Sequence, residues 1–190
     1  GSAHTSLAGA HAQLETYVRE FPLAFRFAVF NLVSDGITTS YGTPFTAFNH
    51  FAPWNVDDDG KPVSHYESDT TSLGLALHGL YTQGRFLLLL RGFTAFDKDE
   101  RGLVKRIAKP HQYFAVAKAV WSTVHAVESH GKAGVVWHTQ GSGKSMEMEL
   151  YANQVIRHQS LANPTIVVVT DRTELDGQLY ETFARSQLLP

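Results

Sequence analysis

The stretch Gly134-Val-Val-Trp-His-Thr-Gln-Gly-Ser-Gly-Lys-Ser145 decides the fold of the second half of the chain. Its apolar start, residues 134–137, predicts a short buried strand. A loop with Gly141 and Gly143 follows and leads directly into Lys144-Ser145 and a segment of helical character. Glycines let backbone N–H groups turn inward around an anion, and a helix N-terminus adds its positive dipole end. The order of strand, glycine loop, Gly-Lys-Ser and helix therefore predicts a phosphate-binding loop.

The loop pattern assigns chemical roles to its residues. Lys144 is predicted to reach the β- and γ-phosphates of a nucleotide, and the Ser145 hydroxyl to bind Mg²⁺. The general pattern has glycine where this chain has His138, which indicates the subclass of loops found in many helicases. The simpler interpretation, a glycine turn beside a surface lysine, predicts no ligand. The predicted nucleotide-binding residues, with Gln112 argued below, are Gln112, His138, Gly141, Ser142, Gly143, Lys144 and Ser145.

The composition indicates a globular protein. Of 190 residues, 43% are hydrophobic and 18% are charged, which is enough apolar material for a core. The sequence has no cysteine, which excludes disulfides and thiol catalysis and fits a reducing compartment. The net charge of −2 does not by itself indicate nucleic-acid binding. The apolar run at residues 86–90 is too short to span a bilayer, and no secretory signal is present, so we expect a cytoplasmic protein without membrane contact.

Periodicity predicts a mixed first half and a more regular second half. The first half is predicted to hold a helix at 7–20, a hairpin of strands at 25–34 and 37–41, a strand-like piece at 45–51, a loop at 53–68 and a helix reaching 91 that is interrupted near 83–84. The second half is predicted to hold a helix at 110–130, a strand at 134–137, a helix at 144–159, a strand at 165–170 and a helix at 173–183. Strand, helix and strand in that order predict a βαβ unit and a parallel sheet.

A change in charge and a helix break suggest a division of the chain. We predict one domain at residues 1–92, a linker at 93–109 and a second domain at 110–190. The linker is rich in lysine and arginine. A solvated face and a track for DNA are both open interpretations of that basic stretch.

Polar residues on both sides of the loop are further candidates. Gln112 stands at the start of the helix that leads into the 134–137 strand, and its amide can donate to and accept from an adenine edge. Asp171, Arg172 and Gln178 follow the next predicted strand, at the edge where open parallel sheets bind ligands.

The chain resembles the motor and restriction (R) subunit of type I restriction enzymes. The resemblance covers nearly the whole chain. It rests on residues 109–120 (KPHQYFAVAKAV), 137–145 (WHTQGSGKS), 167–178 (VVVTDRTELDGQ), 31–36 (NLVSDG) and 51–54 (FAPW). It implies a P-loop (RecA-like) parallel-sheet α/β fold for the C-terminal half, the start of a first helicase-like domain. For the N-terminal half it implies the α+β remainder of a nuclease domain.

The resemblance also implies an activity. It implies an ATP-dependent DNA translocase and site-specific deoxyribonuclease that uses ATP and Mg²⁺ and works on double-stranded DNA with modification and specificity subunits. It makes Gln112 an adenine reader and places residues 171–178 on the DNA-tracking side. Gln13 and Tyr17 fit the Gln-x-x-x-Tyr motif that follows the nuclease carboxylates in this family. They share one helix face and can reach DNA, although an ordinary amphipathic helix explains the spacing too.

The resemblance assigns no catalytic residue within the chain. The nuclease carboxylates are expected before residue 1, and the Walker B acids and arginine finger after residue 190. The chain is therefore expected to be an internal fragment that binds Mg-ATP weakly and neither hydrolyses it nor cuts DNA. Two alternatives stay open: another P-loop ATPase or kinase, and a docking scaffold between nuclease and motor that has no ligand of its own.

Overall fold

A computed structural model describes residues 6–63, 70–99, 102–170, 180 and 183. It confirms a mixture of helices and strands, with two small sheets of two strands each. The elements in order are α1 (Leu7–Glu20), α2 (Pro22–Phe25), β1 (Asn31–Ser34), β2 (Thr39–Gly42), a 3₁₀ turn (Phe48–His50), α3 (Ser72–Tyr81), α4 (Gln83–Gly92), β3 (Thr94–Asp99), β4 (Gly102–Ile107), α5 (Pro110–Val127), α6 (Lys144–Ile156) and a second 3₁₀ turn (Gln159–Leu161). The chain divides into two compact units: Gly1–Arg91 with Lys105–Pro110, and Gly92–Val104 with His111–Pro190.

Helix α1 has the bounds that the sequence predicts. The Ser6 side chain accepts a hydrogen bond from the Gly9 amide at 3.2 Å, so it satisfies one of the free donors of the first turn. At the other end the Phe21 amide donates to the Tyr17 carbonyl, and Pro22 then begins the short helix α2. A serine cap and a following proline therefore fix both ends of the helix.

The predicted hairpin is present, but its first strand is shorter than expected. Strands β1 and β2 pair antiparallel with Val33 opposite Ser40. The turn between them is held by Asp35, whose carboxylate accepts hydrogen bonds from the amides of Ile37 and Thr38. These bonds lower the pKa of Asp35. The prediction of a strand through residues 25–30 is wrong, because Phe25 ends the short helix α2 and residues 26–30 form turns and bends that are assigned to no strand.

The predicted third strand at residues 45–51 is also wrong. Residues 48–50 form a 3₁₀ turn, and only Ala52 pairs with β2, opposite Tyr41. The aromatic side chains that suggested a strand serve a different contact. Phe48 and Phe51 pack on the ring of His11 at centroid distances of 5.3 and 4.7 Å. Apolar residues in an irregular segment can thus cover a helix without forming a strand.

Trp54 is the centre of the first unit. It has no exposed surface, and it lies so close to Gly79 of α3 that a side chain there would meet the indole ring. The guanidinium of Arg85, on α4, lies 5.7 Å from the centroid of the Trp54 ring. The break between α3 and α4 falls at Thr82, close to the predicted interruption. The helical pair thus packs around one large aromatic side chain.

The stretch predicted as a linker contains secondary structure. Residues 93–109 include β3 and β4, which form the second two-stranded sheet. Lys105 lies within the first unit, where its ammonium donates to the Ala28 carbonyl at 2.8 Å. Partial burial lowers the pKa of Lys105. This lysine is therefore packed against protein rather than part of a solvated face.

The second unit is built on α5 and α6. Leu150 of α6 is fully buried, and the Phe93 and Tyr113 rings lie 4.5 Å apart. The hydroxyls of Thr123 on α5 and Tyr151 on α6 are 2.7 Å apart, and the Gln154 amide donates to the Gly92 carbonyl. These contacts hold the two helices that flank the glycine loop.

The two predicted parallel strands do not form in this structure. Residues 134–137 and 165–170 are assigned to no strand, and Val135, Trp137 and Val169 are 91%, 88% and 88% exposed. A parallel strand needs a hydrogen-bonded neighbour and helices on its faces. Among the described residues no strand pairs with either segment. The apolar runs that predicted burial are thus exposed here.

Candidate nucleotide-binding site

The glycine loop has the backbone that the sequence predicts for a phosphate cradle. Gly141 and Gly143 have φ angles of 79° and 85°, in the left-handed region that favours glycine. Gly143 is the N-terminal cap of α6 and has ψ 35°, and its carbonyl accepts from the Met146 amide at 3.0 Å. The first backbone N–H groups of a helix have no partner inside the helix. The turn therefore presents such donors at residues 144 and 145.

Gln112 supports this loop from α5. Its side chain is 3% exposed, and its amide nitrogen donates to the carbonyls of Ser142 and Gly143, each at 3.2 Å. A side-chain carbon at position 143 would lie 2.5 Å from that same nitrogen. Position 143 thus favours glycine for two reasons: the positive φ angle and the close approach of the Gln112 side chain. The structure brings Gln112 to the loop, as the predicted site requires.

The ammonium of Lys144 lies at the mouth of the loop. It donates to the carbonyl oxygens of His138 at 2.9 Å and Thr139 at 2.8 Å. The side chain is exposed, so its charge is available to an anion. A lysine held in this way is a fixed point charge beside the helix N-terminus, where phosphate is favoured.

Two serine hydroxyls, one in the loop and one at the start of α6, fit a phosphate and its metal. The Ser142 hydroxyl is buried and has no hydrogen-bond partner, which is unusual for a buried polar group. A bound phosphate could accept a hydrogen bond from it. Ser145, in the first turn of α6, is exposed. In the part of the chain that the structure describes, no group of three His, Cys, Asp or Glu side chains could hold a metal ion. The exposed Ser145 hydroxyl at the start of α6 is an oxygen ligand of the kind that Mg²⁺ takes beside nucleotide phosphates.

His138 is joined to two residues that sequence reasoning missed. Its Nδ1 lies 2.7 Å from an oxygen of Glu147, which is on α6 and 6% exposed. The ring of His111 meets the His138 ring edge-on at 5.3 Å, and its Nε2 is 3.0 Å from the Ser142 carbonyl. Sequence signals existed for both. His111 is adjacent to Gln112, and Glu147 follows Lys144 in the first turn of α6.

A cavity of about 610 Å³ lies within the second unit among α5, α6 and residues 133–138. Its lining includes small and apolar side chains of the two helices together with His138, Lys144 and Glu147. The apolar segment at 133–138 thus does not fill the space against the helices. This is the same departure from a closed α/β layer that the exposure of Val135 and Trp137 shows.

The remaining predicted site residues lie elsewhere. Gln13 and Tyr17 are in the first unit, one turn apart on α1, where the Gln13 amide donates to the Tyr17 hydroxyl at 2.7 Å. The structure thus brings this pair together on one helix face. Asp171, Arg172 and Gln178 lie outside the described residues.

Every helix in the described part of the chain is too short or too polar to cross a lipid bilayer.

Comparison with known families adds an independent observation. The model of a family described as SWI2/SNF2 ATPase matches residues 111–189. The match includes Gln112, the glycine loop and α6, so it coincides with the part of the chain in which the site was found.

Comparison with curated proteins extends the similarity to the first unit. The HindI endonuclease subunit of a type I restriction enzyme from Haemophilus influenzae is 42% identical over 179 residues, which cover 92% of this chain. A Methanocaldococcus jannaschii protein, provisionally named as the MjaIXP endonuclease subunit of a type I restriction enzyme, is 33% identical over 188 residues and 90% of this chain. The SsaAORF53P endonuclease subunit of Staphylococcus saprophyticus is 26% identical over 164 residues and 84% of this chain. The chain spans about a sixth of the length of these relatives: 17%, 18% and 16%.

Proposed function

We propose that the chain is a segment of a type I restriction enzyme endonuclease subunit, as its similarity to such subunits supports, and that it binds the phosphates of Mg-ATP at its glycine loop. One observation carries the proposal. A loop with two glycines in the left-handed backbone region ends at the N-terminus of α6, and the Lys144 ammonium is hydrogen-bonded to two carbonyls of this loop. Backbone donors, helix dipole and lysine all favour an anion at one place.

The proposed roles follow the geometry. Lys144 binds the β- and γ-phosphates, Ser145 binds Mg²⁺, and residues 141–143 surround the phosphates. Gln112 supports the loop through its amide N–H groups and reads the adenine edge. Bound Mg-ATP would supply the energy for movement along DNA, and these residues hold it.

The proposed fold around the loop is a parallel sheet. Residues 134–137 and 165–170 have the composition of fully buried parallel strands, and both carry exposed apolar side chains. Residues 134–137 also line the cavity beside α5 and α6. We assign residues 134–137 and 165–170 as parallel strands of a P-loop sheet. The exposure of their valines supports this assignment, because such runs are stable in water only when covered.

The wider function proposed for the protein is that of a DNA-translocating endonuclease subunit. Its substrate is double-stranded DNA, its partners are the modification and specificity subunits of the same enzyme, and its compartment is the cytoplasm. Gln13 and Tyr17 contact DNA beside the nuclease centre, and Asp171, Arg172 and Gln178 lie on the DNA-tracking side. We retain the domain division at residues 93–109 as part of this proposal.

The proposal is tested by titrating the chain with Mg-ATP in a calorimeter, using wild type and Lys144→Ala. The substitution removes the phosphate-facing charge, so we expect the affinity to fall about a hundredfold or more, as for the loss of a charged partner from a phosphate. Lys132→Ala is the matched control, because it removes an exposed lysine of the same unit outside the loop. Equal binding by Lys144→Ala and wild type would contradict the proposal.

The same titration separates the proposal from a docking scaffold without a ligand, which would bind no nucleotide. Hydrolysis is a separate requirement, since it needs acidic groups that hold the metal and groups that neutralise developing charge. We assign none of these roles to a residue of the chain. Phosphate release at saturating ATP is accordingly expected to stay at background with and without DNA.

A further inference from the structure

The histidine that replaces glycine in the loop pattern is held by a buried carboxylate. The Nδ1 atom of His138 lies 2.7 Å from an oxygen of Glu147, whose side chain is 7% exposed. A contact this short between a ring nitrogen and a carboxylate is a charge-assisted hydrogen bond. A glycine at position 138 would have no such anchor.

The partners assign the protons in this cluster. A carboxylate accepts hydrogen bonds, so Nδ1 of His138 is the donor to Glu147. A carbonyl also only accepts, so Nε2 of His111 is the donor to Ser142 at 3.0 Å. The two rings meet edge-on at a centroid distance of 5.3 Å, so the His138 ring contacts His111 as well as Glu147.

The contacts of His138 extend to Lys144. The backbone carbonyl of His138 is one of the two acceptors of the Lys144 ammonium. Glu147 and Lys144 are both on the first turn of α6. The contacts thus run from Glu147 to the His138 ring, and from the His138 carbonyl to Lys144. Glu147 and Lys144 are joined in turn by the helix that carries both.

We infer that Glu147 is a positioning residue for nucleotide binding, which acts by holding His138 and, through its carbonyl, the Lys144 ammonium in place at the loop. The inference rests on the proposed binding of Mg-ATP at this loop. Its physical basis is preorganisation, since a loop that is already ordered loses less conformational freedom when phosphate binds. Glu147 touches no phosphate in this account.

The test compares two substitutions of Glu147. Glu147→Leu removes the hydrogen-bond acceptor but keeps a side chain of similar size at a buried site. We expect the affinity for Mg-ATP to fall about ten- to hundredfold. Glu147→Gln keeps an oxygen that can accept from Nδ1, and we expect it to remain within about threefold of wild type. Glu128→Leu, at an exposed position after α5, is the control for loss of one carboxylate.

A double-mutant cycle separates positioning from a general loss of stability. In the background His138→Gly the anchor is already absent, so Glu147→Leu is expected to lower nucleotide affinity by less than about threefold. The ¹⁵N resonances of the His138 ring, measured without nucleotide, are expected to show a protonated Nδ1 in wild type and a changed state in Glu147→Leu. Thermal unfolding of each variant shows whether the fold is retained.

The outcomes distinguish a failure of this inference from a failure of the proposed Mg-ATP binding. Wild-type chain that binds no Mg-ATP would overturn the proposed function and this inference with it. Wild-type binding that Glu147→Leu leaves unchanged would overturn this inference alone. An equal effect of Glu147→Leu in the wild-type and His138→Gly backgrounds would also overturn it, because Glu147 would then act without His138.

Discussion

At the residue scale, two glycines of the loop share a backbone conformation but have different neighbours. Gly141 and Gly143 both have φ near 80°, at 79° and 85°. A side-chain carbon at 141 would meet nothing within 4 Å, whereas one at 143 would lie 2.5 Å from the Gln112 amide nitrogen. Alanine at either position therefore introduces backbone strain of about 1–2 kcal/mol, and only at 143 does it also displace Gln112.

We expect Gly143→Ala to lower the free energy of unfolding and the nucleotide affinity more than Gly141→Ala does. Urea unfolding and Mg-ATP titration of the two variants measure the difference. The pair is matched, since the residue change and the backbone angle are the same. Equal losses in both assays would show that the contact with Gln112 carries no energy.

The Gln112 side chain combines two roles that one probe can separate. Its N–H groups donate to the loop carbonyls, so Gln112→Ala is expected to weaken inorganic triphosphate as well as ATP. If the amide also reads adenine, the loss for ATP exceeds the loss for GTP, by about 1–3 kcal/mol for an unpaired polar edge. Equal losses for ATP, GTP and triphosphate would leave only the supporting role.

The sequence predicts the residues of the glycine loop but not the roles of Glu147 and His111, which contact them. Gly141, Gly143 and Lys144 are recognisable because the chemistry of phosphate binding fixes their spacing. Glu147 and His111 lie close in the sequence to Lys144 and Gln112, but their role depends on the ring of His138 turning toward α6. That orientation is a property of packing between α5 and α6, which no local pattern encodes.

At the element scale, helix α3 depends on the absence of a side chain at Gly79. A carbon there would lie 2.0 Å from the Trp54 indole nitrogen, and Trp54 is fully buried. We expect Gly79→Ala to lower the free energy of unfolding by about 1–3 kcal/mol through overpacking. Gly84→Ala on α4 is the control, because nothing lies within 4 Å and alanine is the better helix former.

Thermal unfolding of the two variants checks this expectation, with tryptophan fluorescence as a second signal. Gly84→Ala is expected to leave the free energy of unfolding unchanged or raise it by up to about 1 kcal/mol. A stable Gly79→Ala protein with unchanged fluorescence would contradict the close packing of α3 on Trp54.

Strand β2 gives the first unit a dependence on alkaline pH. The Tyr41 hydroxyl is buried and donates to the Ala108 carbonyl at 2.6 Å, and burial raises the pKa of Tyr41 well above its usual range. The unfolded chain releases this proton near pH 10 while the folded chain retains it. The stability that the neutral hydroxyl contributes is therefore complete below pH 10 and is lost as pH rises toward the folded-state pKa, by up to about 1.4 kcal/mol per pH unit.

Urea unfolding at pH 8, 10 and 11 measures this slope, and Tyr41→Phe isolates it from other groups. The variant loses the hydrogen bond to Ala108, so it is less stable at pH 8, but its stability falls less steeply above pH 10. The same slope in both proteins would show that Tyr41 ionises freely in the folded state.

The elements also show where prediction from sequence ends. Helix α1 was predicted with its bounds because a serine cap and Pro22 mark both ends locally. Strands were less predictable, because pairing depends on residues far away in the chain. The aromatic piece at 45–51 formed a 3₁₀ turn that packs on His11, and the valine run at 165–170 has no pairing partner among the described residues.

At the scale of the whole molecule, the two units carry different parts of the proposed function. The first holds the Gln13–Tyr17 pair and the Trp54 core, and the second holds the glycine loop with its supports. Similarity to type I restriction endonuclease subunits extends over both, while the SWI2/SNF2 ATPase match is confined to residues 111–189. Nucleotide binding is therefore expected in the second unit alone.

Hydrogen exchange measured with and without Mg-ATP tests this central claim most directly. Bound phosphate accepts hydrogen bonds from the backbone amides of the loop and the first turn of α6, so we expect exchange at residues 141–146 to slow on addition of Mg-ATP. Residues of β1 and β2, in the first unit, are expected to exchange at unchanged rates. Unchanged exchange at 141–146 under saturating Mg-ATP, or protection confined to the first unit, would contradict the claim that the glycine loop is the nucleotide site.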